Sequence, residues 1–213
     1  MTPKLIIAPP ASGKTAECID RILAVQKEQP LTRVWVVVPS HQKAAYFKKR
    51  LAEAGGGISV RVGAFRTFYQ EILEGSGVFT PVITPALSHR LIQETVREAY
   101  ESGVLTHFAA IREKSGFLSV LRDAFAELRS GMVQPEAFLE ITHDAPPGKH
   151  ELAILYERFL ARLNAVGWVD AEGQAWQAIK ALEAGSTSFS YPRLVIADGF
   201  TSFTAAQRNF LKH

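Results

Sequence analysis

The stretch Ile6-Ile7-Ala8-Pro9-Pro10-Ala11-Ser12-Gly13-Lys14-Thr15 constrains this chain more than any other. An apolar strand pattern, Leu5-Ile6-Ile7, runs into a tight loop, and an amphipathic helix pattern carrying Ile19, Ile22 and Leu23 follows. Ser12-Gly13-Lys14-Thr15 ends a phosphate-binding loop of the form G-x-x-x-x-G-K-[ST], with Ala8 in the first glycine slot. Gly13 lets the backbone approach a phosphate closely, since it has no Cβ. The amides from Ala11 to Thr15, at the positive end of a helix, form a nest for anionic oxygens. Lys14 is placed to reach the β- and γ-phosphates, and the Thr15 hydroxyl to ligate Mg²⁺. Pro9 and Pro10 donate nothing and stiffen the loop.

The rest of the chain repeats the strand-helix alternation and then leaves it. A run apolar on both faces, Arg33 to Val38, predicts a central parallel strand. Ser40 caps a Lys- and Arg-rich helix over 43–54, closed by three glycines, and a short strand over 58–62 leads through Gly63-Ala64-Phe65-Arg66-Thr67-Phe68 into a third helix. A turn-rich linker over 75–85 precedes helical patterns over 86–100, 118–128, 136–141, 152–166 and, behind Asp170, to Leu182. Residues 144–150, with two prolines and a glycine, read as a loop. At Arg193-Leu194-Val195-Ile196-Ala197-Asp198 a buried strand returns. The expected fold is α/β: a P-loop NTPase-type parallel sheet with helices on both faces, interrupted by an all-helical insertion. The sheet core is assigned to 1–78 and 190–213, the insertion to 79–189.

Asp198 closes an apolar strand, and in open α/β sheets ligands sit at the carboxyl ends of strands. Asp198 and the loop are therefore expected on one edge, with Asp198 beside Thr15 in the Mg²⁺ shell. Hydrolysis also needs a group that positions water, and Gly199 follows the acid where motor ATPases of this kind carry Glu; glycine cannot do that work. The site is expected to bind ATP and hydrolyse it poorly or not at all.

Four segments together resemble superfamily 1 DNA helicases of the UvrD/Rep type. Their phosphate loop commonly begins with Ala, as at Ala8. Their Thr-Asn-Lys-Ala-Ala motif is similar to Ser40-His41-Gln42-Lys43-Ala44-Ala45, and their Thr-Phe-His motif to Ala64-Phe65-Arg66-Thr67-Phe68. Their acidic motif with a later Gln resembles Asp198-Gly199-Phe200-Thr201 and Gln207. The resemblance implies a RecA-like, 1A-type core, a 1B-type helical insertion, and a nucleotide site including Gln207. It also implies a strand-facing surface of Ser40, His41, Lys43, Phe65 and Arg66. The departures, Gly199 and Thr201, make Asp198-Gly199-Phe200-Thr201-Ser202-Phe203-Thr204 look like the AddB/RexB component of bacterial AddAB/RexAB helicase-nucleases. That family implies single-stranded or duplex-end DNA and an AddA-type helicase-nuclease subunit as partners. It carries its exonuclease domain and iron–sulfur cysteines further downstream than this chain reaches.

Composition bounds these expectations without selecting among them. Of 213 residues, 47% are hydrophobic and 21% charged, which suits a buried core. The formal net charge of +3 permits nucleic acid but does not diagnose it. One cysteine, Cys18, excludes a disulfide framework. No apolar run approaches a membrane span, so a soluble, cytoplasmic chain is expected, and its end inside a helical pattern suggests a cut through a longer one. Phe65 and Phe68 also suit a core, and Lys48, Lys49 and Arg50 a solvated helix face. Two other functions compete: a DNA-binding scaffold whose loop is empty, and a P-loop small-molecule kinase using Arg112, Arg122 or Arg129.

Overall fold

β1 (Val34–Val37) has no exposed residue, because both faces of the sheet are covered there. It pairs in parallel with β2 (Val60–Gly63) on one side and β3 (Leu194–Ala197) on the other, Val34 standing opposite Val60 and Leu194. The computed structural model describes residues 4–9, 11–185 and 190–213, and among these the sheet is three-stranded, in the order β2-β1-β3. Alternation along β1 sorts its side chains. Val34, Val36 and Val38 pack with Ile19 and Ile22 of α1 (Lys14–Glu28) and with Ala44, Phe47 and Leu51 of α2 (His41–Glu53). Trp35 takes the opposite face, its ring 4.5 Å from Phe68 of α3 (Phe65–Gly75).

The chain divides into two units. The sheet unit comprises Met1–Ile72 and Thr187–Ser202; the helical unit comprises Leu73–Ser186 and Phe203–His213. Thr84 caps α4 (Pro85–Glu101), its hydroxyl accepting from the Leu87 amide at 3.3 Å, with Pro85 opening the first turn. There follow a 3-10 turn (Ala109–Ile111), α5 (Ser115–Ser130), α6 (Pro135–Thr142), α7 (Pro147–Ala165), α8 (Ala171–Glu183) and α9 (Ala205–Phe210). Ile92 and Val96 of α4, Leu121 and Phe125 of α5, and Tyr156 and Phe159 of α7 form the centre of this unit's core. A buried ion pair ties α5 to α8: Arg129 Nη2 lies 2.7 Å from Asp170 Oδ1, which also accepts from the Gly173 amide. Gly173 is required by close approach, since a Cβ there would collide with the Arg129 guanidinium and Val169.

Two sequence expectations change. Leu5-Ile6-Ile7 forms no ladder: Leu5 and Ile7 are 82% and 85% exposed. A strand needs a neighbour to take its amides and carbonyls, and β3 pairs only with β1 among the described residues. The mixed α/β class and the parallel sheet hold, without that first strand. The segment 144–150 is not all loop, because Pro147 opens α7, where a missing N–H costs nothing. Residues 203–213 group with the helical unit, where α9 packs on α8 and α5. Pro10 lies outside the described residues.

Candidate nucleotide-binding site

Gly13 precedes α1 at φ +84°, a left-handed turn, and no side chain caps the helix. A glycine is needed here by conformation, since nothing lies within 4 Å of where its Cβ would be. Ala11 also has positive φ, 60°. The two turns fold the loop back on itself. Lys14 Nζ donates to the carbonyls of Ala8 at 2.5 Å and Pro9 at 2.6 Å, with Ser12 Oγ at 3.4 Å. The ammonium group thus sits against the loop that a phosphate chain would thread, held by carbonyls that an anion could replace. These carbonyl partners were not foreseen from the sequence, because a motif names side chains and not backbone acceptors.

From the far end of the chain, β3 delivers Asp198. The Thr15 hydroxyl donates to Asp198 Oδ2 at 2.9 Å, joining residues 183 positions apart. Asp198 in turn is held over the sheet edge by its own amide, which donates to the Val37 carbonyl at 3.0 Å. Cys18, one turn beyond Thr15, is half-buried. Burial first, and then the Asp198 carboxylate, push its thiol up to about 11, so it remains a neutral thiol at ordinary pH. Among the described residues there is no cluster of three or more His, Cys, Asp or Glu that could hold a metal by itself. Thr15 and Asp198 offer two hard oxygens on one spot. That donor set fits Mg²⁺, which is usually bound through one or two carboxylates, waters and substrate phosphates rather than an all-protein cage.

The remaining sequence-selected residues separate. Gln207 lies in the helical unit, where it completes a capping box with Thr204: each accepts from the other's amide, at 3.1 and 3.2 Å. Its side-chain oxygen is engaged at the start of α9, a role that Thr-x-x-Gln signals in sequence. Ser40 caps α2, its hydroxyl accepting from the Lys43 amide at 3.3 Å. His41, Lys43 and Arg66 are exposed. Phe65 is only 5% exposed. Its ring meets Phe200 edge-on at 5.5 Å and Tyr69 at 5.9 Å, so no face of it is open to a base. Phe200, two residues after Asp198, was not selected from sequence; an isolated aromatic beyond a strand end carries no periodic signal.

Residues 5–213 match the family described as "ADDB, N-terminal", and the chain belongs to that family. It is similar to the B-type subunit of the ATP-dependent helicase/deoxyribonuclease of Exiguobacterium sibiricum, 26% identical over 94% of this chain and 18% of that protein. It is similar too to the protein of the same name from Clostridioides difficile, 23% identical over 98% of this chain and 19% of that protein. The chain therefore spans about a fifth of the length of the curated relatives it matches. No helix among the described residues is long and apolar enough to cross a membrane.

Proposed function

We propose that this chain is the amino-terminal part of an AddB-type helicase/deoxyribonuclease protein of DNA repair and recombination. Its sheet unit binds Mg-ATP and single-stranded DNA and lacks the machinery for efficient hydrolysis. One observation carries the nucleotide reading: the hydrogen bond between Thr15 and Asp198, which brings a loop hydroxyl and a strand-end carboxylate to one point at the head of α1. The Lys14 ammonium, held on the loop's carbonyls, supplies the positive charge, and the uncapped amides of α1 supply donors. Mg²⁺ held by Thr15 and Asp198 would neutralise charge on the phosphates. Gly199, at the water-positioning place, offers no base. The resemblance to superfamily 1 helicases and the names of the two relatives support the same reading, including a partner subunit and DNA as substrate.

Strand binding rests on the exposed donors His41, Lys43 and Arg66 at the carboxyl edge of the sheet. Phe65 is withdrawn from that set by its burial. For the kinase alternative, the three arginines are already engaged: Arg112 over the Tyr100 ring at 4.1 Å, Arg122 with Asp123, and Arg129 with Asp170.

The test is calorimetric titration of the chain with Mg-ATP. Lys14→Ala is expected to weaken binding at least about tenfold while leaving the far-ultraviolet spectrum unchanged, since Lys14 is outside both cores. Equal affinity in the variant overturns the site assignment. Absence of any binding by the unaltered chain favours the scaffold with an empty loop.

A further inference from the structure

α2 carries four cations, Lys43, Lys48, Lys49 and Arg50, against one acid, Glu53. Its excess of three equals the formal net charge of the entire chain, so all the other charges together balance. In the helical unit cations stand beside acids: Arg90 with Glu94, Arg97 with Glu101, Arg162 with Glu98. On α2 most do not. Among the described residues the one ion pair on α2 joins Lys49 to Glu53 at 3.9 Å, with both side chains largely exposed. Such a contact is worth little.

The cations are also sorted by side. With about 100° between successive residues, Ala44, Phe47 and Leu51 face the core. Lys43, Tyr46 and Arg50, spaced three and four apart, share one flank, with Lys49 next to them. Lys48 falls across the buried strip on the other flank. Tyr46 is 56% exposed, an unusual place for a large aromatic, and the Arg50 guanidinium lies 6.0 Å from its ring centre. A row of unneutralised cations with an exposed aromatic set among them is the chemistry that tracks a single strand: cations on phosphates, a ring face for a base. A duplex would satisfy the cations but offers no unstacked base to the ring.

We propose that the Lys43–Tyr46–Lys49–Arg50 flank of α2 is a binding track for single-stranded nucleic acid, continuing away from the sheet edge. The inference rests on the strand-binding part of the function proposed above and is independent of nucleotide.

The test is fluorescence anisotropy of the whole chain with a labelled oligothymidylate of about 16 nucleotides, without ATP, over a salt series. The double variant Lys49→Gln/Arg50→Gln is expected to weaken binding by about tenfold at low salt and to flatten the slope of log K against log salt by about 1.4. Tyr46→Leu is expected to weaken binding by about tenfold without changing that slope. Lys48→Gln, on the other flank, is expected to stay within about twofold. All four positions are exposed or nearly so, so thermal melting of each variant should match the parent. The proposal is overturned if the double variant and Tyr46→Leu bind like the parent, or if Lys48→Gln costs as much as Arg50→Gln alone. It is overturned too if a duplex of equal length binds as tightly and Tyr46→Leu is silent. If Arg66→Gln weakens binding while the α2 variants do not, the track falls and the sheet-edge reading stands. If the parent does not bind oligothymidylate, both fall.

Discussion

Gly199 stands where the resemblance places a catalytic glutamate, and its backbone explains why that glutamate cannot simply be put back. Its φ is +81°, in the left-handed region that costs residues with a Cβ about 1–2 kcal/mol. The nearest atom to a Cβ built there is Pro39 Cδ at 3.6 Å, an ordinary contact, so the penalty is backbone strain and not collision. The turn it makes sends Phe200 onto Phe65 directly after Asp198 has met Thr15. Gly199→Glu is therefore expected to lower stability by about 1–2 kcal/mol in urea denaturation and to add no ATP turnover. Gly199→Ala is expected to cost the same, because the loss belongs to the backbone. A neutral Gly199→Ala, or a gain of turnover in the Glu variant, would refute this account. The residue scale also shows, at Phe65 and Gln207, what a motif leaves open. Both occupy motif positions, yet packing buries one and a helix cap engages the other. A short motif records residue type and spacing; whether a side chain points to solvent is decided by elements far away in sequence.

Among the elements, α7 shows how a buried charge organises a loop. Glu151, in the second turn, is buried, and its Oε1 accepts from the Thr106 amide at 2.7 Å, the Thr106 hydroxyl at 2.8 Å and the His107 amide at 2.6 Å. Its Oε2 accepts from the Phe108 amide at 3.0 Å. Burial alone would raise this carboxyl; the hydrogen bonds from His107, Phe108 and Thr106 outweigh it and hold the group below the ordinary value of 4.5. A lowered carboxylate stabilises the fold fully above its unfolded value and loses that contribution as pH falls through the folded one. Stability of the helical unit should accordingly decline in acid below about 4.5, and Glu151→Gln should remove part of that decline together with about 2–3 kcal/mol at neutral pH. Denaturant midpoints from pH 3 to 7 measure both; a variant with parental stability and parental acid sensitivity would show the carboxylate to be dispensable. Nothing in the sequence marks Glu151, since its partners are backbone amides some 45 positions away. Elements with a periodic apolar face were legible: β1 from its unbroken apolar run, α4, α5 and α7 from their stripes. The strand at Leu5-Ile6-Ile7 was not decided by its own pattern, because a strand exists only when another chain segment takes its hydrogen bonds. The start of α7 was hidden by prolines that read equally as a loop or as a first turn.

At the scale of the whole chain, two cores with no residue in common share one polypeptide that passes between them three times, near residues 72, 186 and 202. Lys14, Thr15 and Asp198, the groups proposed to hold nucleotide, all belong to the sheet unit, and the Glu151 cluster and the Arg129–Asp170 pair to the helical one. A ligand stabilises only the folded state that binds it, by about 2.7 kcal/mol at a hundred times its dissociation constant. Mg-ATP should therefore protect the amides of β1 and β3 against hydrogen exchange by up to roughly a hundredfold at that saturation, while leaving those of α5 and α7 little changed. Glu151→Gln should do the reverse, accelerating exchange in α7 and preserving the ATP-dependent protection of the sheet. The two perturbations together are diagnostic, because each has its own unit as readout and the other as control. Protection spread evenly over both units, or loss of the ATP effect in Glu151→Gln, would mean that the chain opens as one cooperative body. Protection confined to the helical unit would remove the nucleotide from the loop altogether.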